Sequence, residues 1–388
     1  MKIAQIAPPW FSVPPRNYGG TENVIYNLVE AQVAQGHDVT LYAPGDAQTS
    51  AKLISFFPRS LIDSGVPWEA HLKAYYHLHK AVDVVKKSSF DIVHIHLSSS
   101  SDLYLFPLLA GLEIPHVMTL HSRFPFDRSP NGWTGDADPL YMEWASSMPM
   151  VAISEHARAE VTYPLHFVGI VHHGLPMEQF RLVRKRRGDC FVWLGRCVPE
   201  KGVHLAIKAA QEAGVPLVLA GTVDRNNPES VHYFQEMIKP HIDNRQVKYI
   251  GPVNMTEKIN LLSGARGFLN PIQWEEPFGM VMIEAMALGC PVISFARGAA
   301  PELIVHGKTG FLARDVDEMA RFIPRIDEID RSAMRQHAED HFSARVMAEK
   351  YMHIYQQVIC AGKVTSKPVD ARVTGQKQSP NPLPLLIV

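Results

Sequence analysis

Residues 274–284 read Trp-Glu-Glu-Pro-Phe-Gly-Met-Val-Met-Ile-Glu, a loop with two adjacent acids, a Pro-Phe-Gly turn and the start of an apolar helix. Pro277 disfavours helix at Glu276, so we expect that carboxylate in a loop above the helix start. At about 100° per residue, Glu284 lies on a different side of the helix from the core-facing residues. A carboxylate accepts two hydroxyl hydrogen bonds at once, as a sugar diol requires. The first N–H groups of the helix lack intrahelical partners and can bind phosphate or hydroxyl oxygens; they belong to Phe278, Gly279 and Met280.

Strand and helix patterns alternate along the whole chain around this stretch. Short apolar runs predict strands at Lys2–Ala7, Asp38–Tyr42, Asp91–Ile95, His116–Leu120 and Met150–Ile153, then at Cys190–Leu194, Pro216–Ala220, Val247–Ile250, Gly267–Leu269 and Pro291–Ser294. Helices are predicted between them, among others at Thr21–Gln35, Trp68–Lys87, Val203–Glu212, Thr256–Leu262 and Gly279–Leu288. This alternation predicts an α/β protein whose parallel sheets are covered by helices on both faces. Such sheets bind ligands beyond the carboxyl ends of their strands.

The length of the chain predicts more than one domain. Its 388 residues exceed the usual limit of about 250–300 residues for a single core. The charged run Arg184–Asp189 is interpreted as a solvated linker, with an anion-binding patch as the alternative. We therefore predict two Rossmann-like doubly wound domains, at residues 1–185 and 186–342, that face each other across a cleft. Helical sequence continues over 343–362, and the polar, proline-containing tail 363–388 is expected to be disordered.

Composition excludes several functional classes. The chain is 46% apolar and 20% charged, with a formal net charge of −1. These values are typical of a globular enzyme and argue against binding to nucleic acid phosphates. No apolar run approaches the ~20 residues of a membrane span, and the first residues predict a buried strand rather than a signal peptide. The amphipathic, lysine-containing segment 68–87 leaves peripheral membrane contact open, with a packed helix as the simpler interpretation.

Cysteines and paired histidines give no pattern that specifies a metal site. The four cysteines lack metal or redox spacing and are expected to be reduced thiols in a cytoplasmic protein. His94 and His96 share one face of a predicted strand, and His172 and His173 are adjacent, so a metal is conceivable at either pair. However, no cysteine or carboxylate with ligand spacing joins them.

Two cations lie beyond the end of a predicted strand, where an anion such as a phosphate could bind. Arg196 directly follows a predicted strand, and Lys201 lies at the entry to the next helix. A guanidinium binds phosphate oxygens as a bidentate fork, whereas an ammonium acts as a compact charge. Near the N-terminus, Gly19 and Gly20 have no side chains, so a phosphate or sugar can approach their N–H groups, and Thr21 is a predicted N-cap. Surface cations and an ordinary tight turn are the structural alternatives.

These motifs resemble those of glycosyltransferase family 4, the retaining nucleotide-sugar glycosyltransferases of GT-B fold. The likeness rests on the acidic stretch at 274–284, on Gly195-Arg196 with Glu200-Lys201-Gly202, and on Tyr18-Gly19-Gly20-Thr21-Glu22. Shorter matches follow in the family's order at Thr119-Leu120-His121, Ala152-Ile153-Ser154, His173-Gly174, Ala220-Gly221 and Pro301-Glu302. This ordered series, from about Lys2 to about Ile359, is more specific than any single motif.

The resemblance implies a role for each candidate residue. Arg196 and Lys201 would stabilise the leaving diphosphate, Glu276 and the amides after it would hold the transferred sugar, and Glu284 would bind the ribose hydroxyls. His121 would lie against the donor sugar. Without the resemblance, Glu284 could also be a surface carboxylate paired with a lysine, and His121 could be a structural histidine. The resemblance further implies catalysis without a metal or other cofactor, and a last helix that crosses back onto the first domain.

The substrates stay open at this point. Family frequency favours a UDP-hexose as donor, with a GDP-sugar as the second choice, and the loop at Val253 would hold the base through main-chain contacts. The acceptor would be a hydroxyl of a sugar, a lipid-linked glycan or a small molecule, bound by the loops Ser98–Asp102 and His121–Trp144. A GT-B sugar-nucleotide epimerase and a sugar-nucleotide-binding protein without catalysis are the alternative functions.

Overall fold

The computed structural model describes residues 1–16, 19–122, 142–182 and 188–365. Its strands are Lys2–Ile6 (β1), Asp38–Tyr42 (β2), Lys52–Ile54 (β3), Ile92–Leu97 (β4), His116–Leu120 (β5), Met150–Ala152 (β6), Phe167–Ile170 (β7), Phe191–Arg196 (β8), Leu217–Thr222 (β9), Val247–Gly251 (β10), Gly267–Asn270 (β11), Val292–Phe295 (β12) and Gly310–Ala313 (β13). They form two all-parallel sheets, ordered β3-β2-β1-β4-β5-β6-β7 and β10-β9-β8-β11-β12-β13. The predicted α/β class with two doubly wound sheets is confirmed.

Helices connect the strands. They are Gly20–Ala34 (α1), His71–Lys86 (α2), Leu105–Leu109 (α3), Glu155–Ala159 (α4), Val203–Glu212 (α5), Pro228–Tyr233 (α6), Met255–Gly264 (α7), Met280–Ala287 (α8), Ala300–Leu303 (α9), Val316–Phe322 (α10), Arg331–Phe342 (α11) and Ala344–Thr365 (α12). Central strands are buried on both faces, as parallel sheets require, and every residue of β4 is buried. The residues at the carboxyl ends of these strands therefore lie where a doubly wound sheet binds its ligands.

Several sequence predictions need correction. The edge strands β3 and β13 and the strand β7 were not predicted. Thr21 is not the N-cap of α1, because the helix begins at Gly20 and Gly19 takes the cap position. The predicted domain boundary at 185/186 and most of the predicted linker fall in residues 183–187, outside the described residues.

The last helix returns to the first sheet, as the resemblance implies. Tyr351 and Tyr355 of α12 are fully buried and pack with Ile3 of β1 and Val24 of α1 in one apolar cluster. The helix reaches Thr365, so the prediction that it ends at Gly362 and that a disordered tail begins at 363 is wrong at this end. The rest of the predicted tail, residues 366–388, lies outside the described residues.

Candidate active site

Glu276 and Lys201 are neighbours in the folded chain although they are 75 residues apart in sequence. Their side chains form an ion pair, and the Trp274 Nε1–H donates to the same Glu276 oxygen at 3.1 Å. The Lys201 ammonium lies 5.0 Å from the centroid of the Trp274 ring. Side-chain exposures of 16% for Glu276 and 22% for Lys201 leave the pair partly accessible. Glu276 is thus held by a cation and an indole rather than projecting freely from its loop.

The turn that carries Lys201 is packed tightly against the loop after β11. Lys201 ends a 3-10 turn, and the following Gly202 has a φ of 65°. A Cβ atom at this glycine would collide with the Pro271 carbonyl, so only glycine permits the approach. On the other side, the Gln273 N–H donates to the Glu200 carbonyl at 2.8 Å. These contacts fix the lysine beside the acidic stretch.

Arg196 lies at the carboxyl end of β8, where a doubly wound sheet binds ligands. Its side chain is exposed, and its guanidinium has no hydrogen bond or ion pair with the described residues. The Lys201 side chain passes close to the preceding residue, Gly195. A Cβ atom placed on that glycine would lie 3.9 Å from Lys201 Cγ. The structure therefore places the two predicted cations at the same strand end, one paired and one available.

The acidic stretch folds as a loop followed by a helix. Glu276 donates its N–H to the Trp274 carbonyl at 3.0 Å and accepts the Ala299 N–H at 2.9 Å, which fixes the loop. Phe278 is 2% exposed and anchors the turn in the core. Helix α8 starts at Met280, with Gly279 at its N-cap. Within the described residues the N–H groups of Phe278 and Gly279 have no partner, so the helix start offers the donors that the sequence predicts.

Glu284 is buried rather than exposed. Its exposure is 5%, and its Oε1 accepts from the Lys258 ammonium at 2.7 Å. Its other oxygen, Oε2, is buried and has no hydrogen-bond partner among the described residues. The structure therefore contains the lysine pairing that the residues alone allowed, and it also leaves one carboxylate oxygen able to accept a hydroxyl. The ribose assignment stays a prediction.

His121 lies at the end of β5, and a series of packed rings connects it to the acidic stretch 274–284 of the second domain. Its ring stacks on that of His173 with centroids 5.2 Å apart, and the His173 ring lies 4.8 Å from that of Phe278. Its Nε2 lies 2.8 Å from His96 Nδ1. Burial, together with His96 and His173, holds the pKa of His121 well below its usual value, so its ring is neutral at pH 7. His121 is thus placed to form hydrogen bonds and not to carry charge.

The N-terminal glycine loop leads into two buried acids. Gly20 has open space at its Cα, and Gly19 lies against Glu22, whose carboxyl is 4% exposed. Burial raises the pKa of Glu22 to about 7, and burial raises that of Asp102 to about 6. Neither acid was assigned a role from the sequence. Tyr18 of the predicted motif lies outside the described residues, and Val253, half-buried in the loop after β10, makes no contact that tests its predicted role.

Sequence reasoning missed the partners that fix the site. Lys258 and His96 contact predicted site residues from distant parts of the chain, and no local pattern links them to those residues. Trp274 lies within the acidic stretch itself, but its spacing from Glu276 did not predict their hydrogen bond. Both ring nitrogens of His94 and of His96 are hydrogen-bonded within the protein. Within the described ranges, no group of three or more His, Cys, Asp or Glu side chains is arranged to hold a metal ion. Among the helices of those same ranges, none is long and apolar enough to cross a membrane.

Known proteins resemble this chain along nearly its whole length. Residues 18–178 match the family model described as Glycosyltransferase Family 4, and residues 178–339 match that of Glycosyl transferases group 1. Spore coat protein SA of Bacillus subtilis is 24% identical, over 92% of this chain and 100% of that protein. Phosphatidyl-myo-inositol mannosyltransferase of Mycolicibacterium smegmatis is 25% identical, over 93% and 95% respectively. Anabaena HepE, solved in complex with UDP, matches with a TM-score of 0.68 at 18% identity, over 92% of this chain and 100% of that one.

Two doubly wound domains with all-parallel sheets are the architecture of the GT-B glycosyltransferases, the fold of the solved neighbours. The chain belongs to glycosyltransferase family 4, since the two models together match residues 18–339. It is accordingly a glycosyltransferase that takes a nucleotide-sugar donor. Both matching models describe transferases, which disfavours the epimerase alternative.

Proposed function

We propose that this protein transfers a hexosyl unit from a UDP-sugar to an acceptor hydroxyl with retention of the anomeric configuration. The observation that carries the proposal is the cluster of Lys201, Glu276 and Trp274 near Arg196, whose guanidinium has no partner in the described part of the chain. A cation that is already paired with the sugar-binding carboxylate lies at the junction of sugar and diphosphate. This is where negative charge develops as the glycosyl–phosphate bond breaks.

The mechanism follows from this placement. Arg196 and Lys201 stabilise the departing diphosphate, each through a charge-assisted contact of about 1.5–3 kcal/mol. Glu276 and His121 hold the oxocarbenium-like sugar from opposite domains. The acceptor hydroxyl attacks from the face that the diphosphate leaves, and its proton passes to a leaving phosphate oxygen. The two cations supply the charge that a divalent ion would otherwise supply, so we propose catalysis without a metal cofactor.

Donor and acceptor are proposed at different levels of detail. HepE, a fold neighbour, was solved with UDP, which supports UDP over GDP. A relative named as a mannosyltransferase supports a hexosyl unit. The acceptor is proposed only as a hydroxyl of a sugar, a lipid-linked glycan or a small molecule, with at most peripheral contact to a membrane. A cytoplasmic location is also proposed, because the four cysteines, all among the described residues, form no disulfide, which is usual in a reducing compartment.

The test is a donor screen with purified protein. UDP-, GDP- and ADP-hexoses are incubated with and without a panel of sugar acceptors, and the released nucleoside diphosphate is measured in buffer with EDTA and without it. We expect release from a UDP-hexose, unaffected by EDTA and lost in Lys201→Met. NMR of the product should show the α-linkage of an α-linked donor. A β-linked product would contradict retention, and loss of activity in EDTA would contradict metal-free catalysis.

The alternative functions give different results in the same experiment. An epimerase would convert the donor alone into a new sugar nucleotide. A binding protein without catalysis would show calorimetric binding of UDP but no release of nucleoside diphosphate with any acceptor.

A further inference from the structure

A buried cluster of amides and hydroxyls connects the C-terminal helix to the first sheet. The Tyr355 hydroxyl of α12 lies 3.2 Å from Gln5 Nε2, 3.1 Å from Gln32 Nε2 and 2.6 Å from His94 Nδ1. The Gln5 Nε2 group also donates to Gln32 Oε1 at 2.8 Å. All four side chains are fully buried, so each polar atom needs a partner inside the protein.

These contacts determine which way the Gln5 amide points. When the Gln5 nitrogen faces Gln32 and Tyr355, the Tyr355 hydroxyl accepts one N–H from each glutamine. The same hydroxyl then donates its single proton to His94. Reversing Gln5 alone would place its oxygen against the Gln32 oxygen. Reversing both amides would turn two oxygens toward one hydroxyl, which has one proton for them. Only with Gln5 Oε1 on the opposite side is each of these four close contacts a hydrogen bond.

The amide orientation continues through two histidines to the active site. Gln5 Oε1 lies 2.8 Å from His96 Nε2 and can only accept, so the His96 proton is on Nε2. His96 Nδ1 then carries a lone pair and accepts from His121 Nε2 at 2.8 Å. His121 is thereby protonated at Nε2 and unprotonated at Nδ1. That Nδ1 is buried and has no hydrogen-bond partner among the described residues.

Burial keeps the histidines of this hydrogen-bond network uncharged. The pKa values of His94, His96 and His121 all lie well below the usual histidine value, mainly because burial disfavours the charged ring. A neutral imidazole has one donor and one acceptor, so fixing one nitrogen fixes the other. The tautomer of His121 therefore depends on the Gln5 amide, which is connected to it through His96.

We propose that Gln5 is a positioning residue that holds His121 in the tautomer protonated at Nε2, so that Nδ1 accepts a hydrogen bond from a hydroxyl of the transferred sugar. Tyr355 and Gln32 act through Gln5, which makes the docking of α12 a condition for the correct tautomer. The tautomer follows from the hydrogen bonds alone, whereas the sugar hydroxyl as partner rests on the proposed function.

The test reads the tautomer directly. The full chain is labelled with ¹⁵N-histidine, and two-bond ¹H–¹⁵N correlation spectra are recorded, with His121 assigned by the signals lost in His121→Asn. We expect the Nε2–H pattern for His121 in the unsubstituted protein. Gln5→Met keeps the length of the side chain but removes the acceptor, so a mixture of tautomers or the Nδ1–H form is expected. Turnover should fall on the order of tenfold to a hundredfold while UDP affinity changes little, because the ring is misoriented for the sugar and not for the nucleotide.

Tyr351→Phe is the matched control. Tyr351 lies on the same helix one turn away and contacts Thr119 Oγ1 at 2.9 Å, but it does not touch Gln5. The His121 tautomer should be unchanged in this variant. If Gln5→Met does not fold, Tyr355→Phe removes a partner of the same amide and should also produce a second tautomer.

Each outcome decides the matter. The Nδ1–H form in the unsubstituted protein, or an unchanged tautomer in a folded Gln5→Met, would overturn the positioning role. If the tautomers behave as expected but no donor sugar is transferred, the proposed function fails and the inference about Gln5 stands.

Discussion

At the scale of single residues, the central feature is one carboxylate shared between a cation and an indole. Glu276 accepts from Trp274 and pairs with Lys201, so its charge is compensated in the absence of a sugar. Under the proposed function, a bound diphosphate would compete with Glu276 for Lys201. The lysine would then follow the negative charge from the carboxylate to the phosphate during bond cleavage.

Glu276→Gln tests this arrangement. Turnover is expected to fall by about a hundredfold, because a neutral amide no longer stabilises positive charge on the sugar. Nucleotide affinity should stay within about threefold or rise slightly, since Lys201 is freed for phosphate. Steady-state kinetics and calorimetry with UDP measure the two effects. The control is Glu275→Gln, whose carboxylate accepts the Gly298 N–H at 2.8 Å instead. Lost nucleotide binding with unchanged turnover would contradict the assignment.

Glu284 and Lys258 allow a structural role to be separated from a binding role. Removing one partner of a buried ion pair typically costs about 3 kcal/mol or more, because the remaining charge is uncompensated. Glu284→Gln should therefore lower both stability and UDP affinity. Adding Lys258→Met should recover stability, measured by urea unfolding, but not UDP affinity. If the double variant binds UDP as well as the unsubstituted protein does, Glu284 does not bind the ribose.

At the scale of elements, the sequence predicts the strands and helices whose positions are determined by hydrophobic periodicity and burial. The strands near the middle of each sheet, such as β4, are fully buried and rich in apolar residues, and they were predicted within a residue or two. The strands β3 and β7 were missed, because β3 is a three-residue edge strand and β7 is only half-buried, so neither has a strong apolar signal. The contact of Glu284 with Lys258 and of His121 with His96 depends on tertiary packing, which no local spacing encodes.

The loop around Glu276 depends on a glycine from a neighbouring turn. Gly298 has a φ of 57°, and a Cβ atom there would collide with the Glu276 backbone. Gly307 has a similar φ of 74°, but a Cβ atom there meets nothing within 4 Å. Gly298→Ala and Gly307→Ala should therefore share the backbone strain of about 1–2 kcal/mol, and only Gly298→Ala should displace Glu276. Thermal unfolding and turnover measured on both variants check this, and equal effects in the two would contradict it.

At the scale of the whole molecule, one carboxylate joins the two domains. Glu302 of α9 accepts the N–H groups of Glu155 and His156 at 2.8 Å each and the His172 ring at 3.1 Å. Burial raises the pKa of Glu302, but hydrogen bonds from His172 and the two amides outweigh it, so the pKa is lowered overall. A lowered carboxyl pKa stabilises the fold above the unfolded value of 4.5, and that contribution is lost as pH falls through the folded pKa.

Glu302→Gln should lower the free energy of unfolding at pH 7 by about 1–3 kcal/mol, since an amide cannot accept all three bonds. The stability difference between the variant and the unsubstituted protein should shrink as pH falls below 4.5 and disappear only below the lowered folded pKa of the carboxyl, where Glu302 itself is protonated. Urea unfolding across this pH range measures the difference. Glu318→Gln is the control, because that carboxylate pairs with Arg314 inside the second domain. A difference that persists at low pH would contradict the role of the charge.

The buried histidines make the stability of the whole molecule sensitive to mild acid. Burial lowers the pKa of His77 to about 4 and that of His173 to about 3. Below pH 6.5 the unfolded chain binds protons at these sites that the folded chain excludes, so stability falls as pH decreases. Burial raises the pKa of Glu22 to about 7, so this acid makes the fold more stable as pH falls. In the described part of the chain, however, the buried histidines outnumber the buried acids. These histidines are His77, His94, His96, His121 and His173.

The expected result is a loss of stability between pH 6.5 and 5, at about 1.4 kcal/mol per pH unit for each net proton taken up on unfolding. Urea unfolding at pH 7.5, 6.5 and 5.5 measures the slope. His77→Gln, outside the active site, should reduce the slope by about one proton, because Gln does not titrate. A stability that is constant or rises on acidification would contradict the prediction that the neutral histidines outweigh the acids with raised pKa values. A slope that His77→Gln leaves unchanged would contradict the neutral burial of that ring.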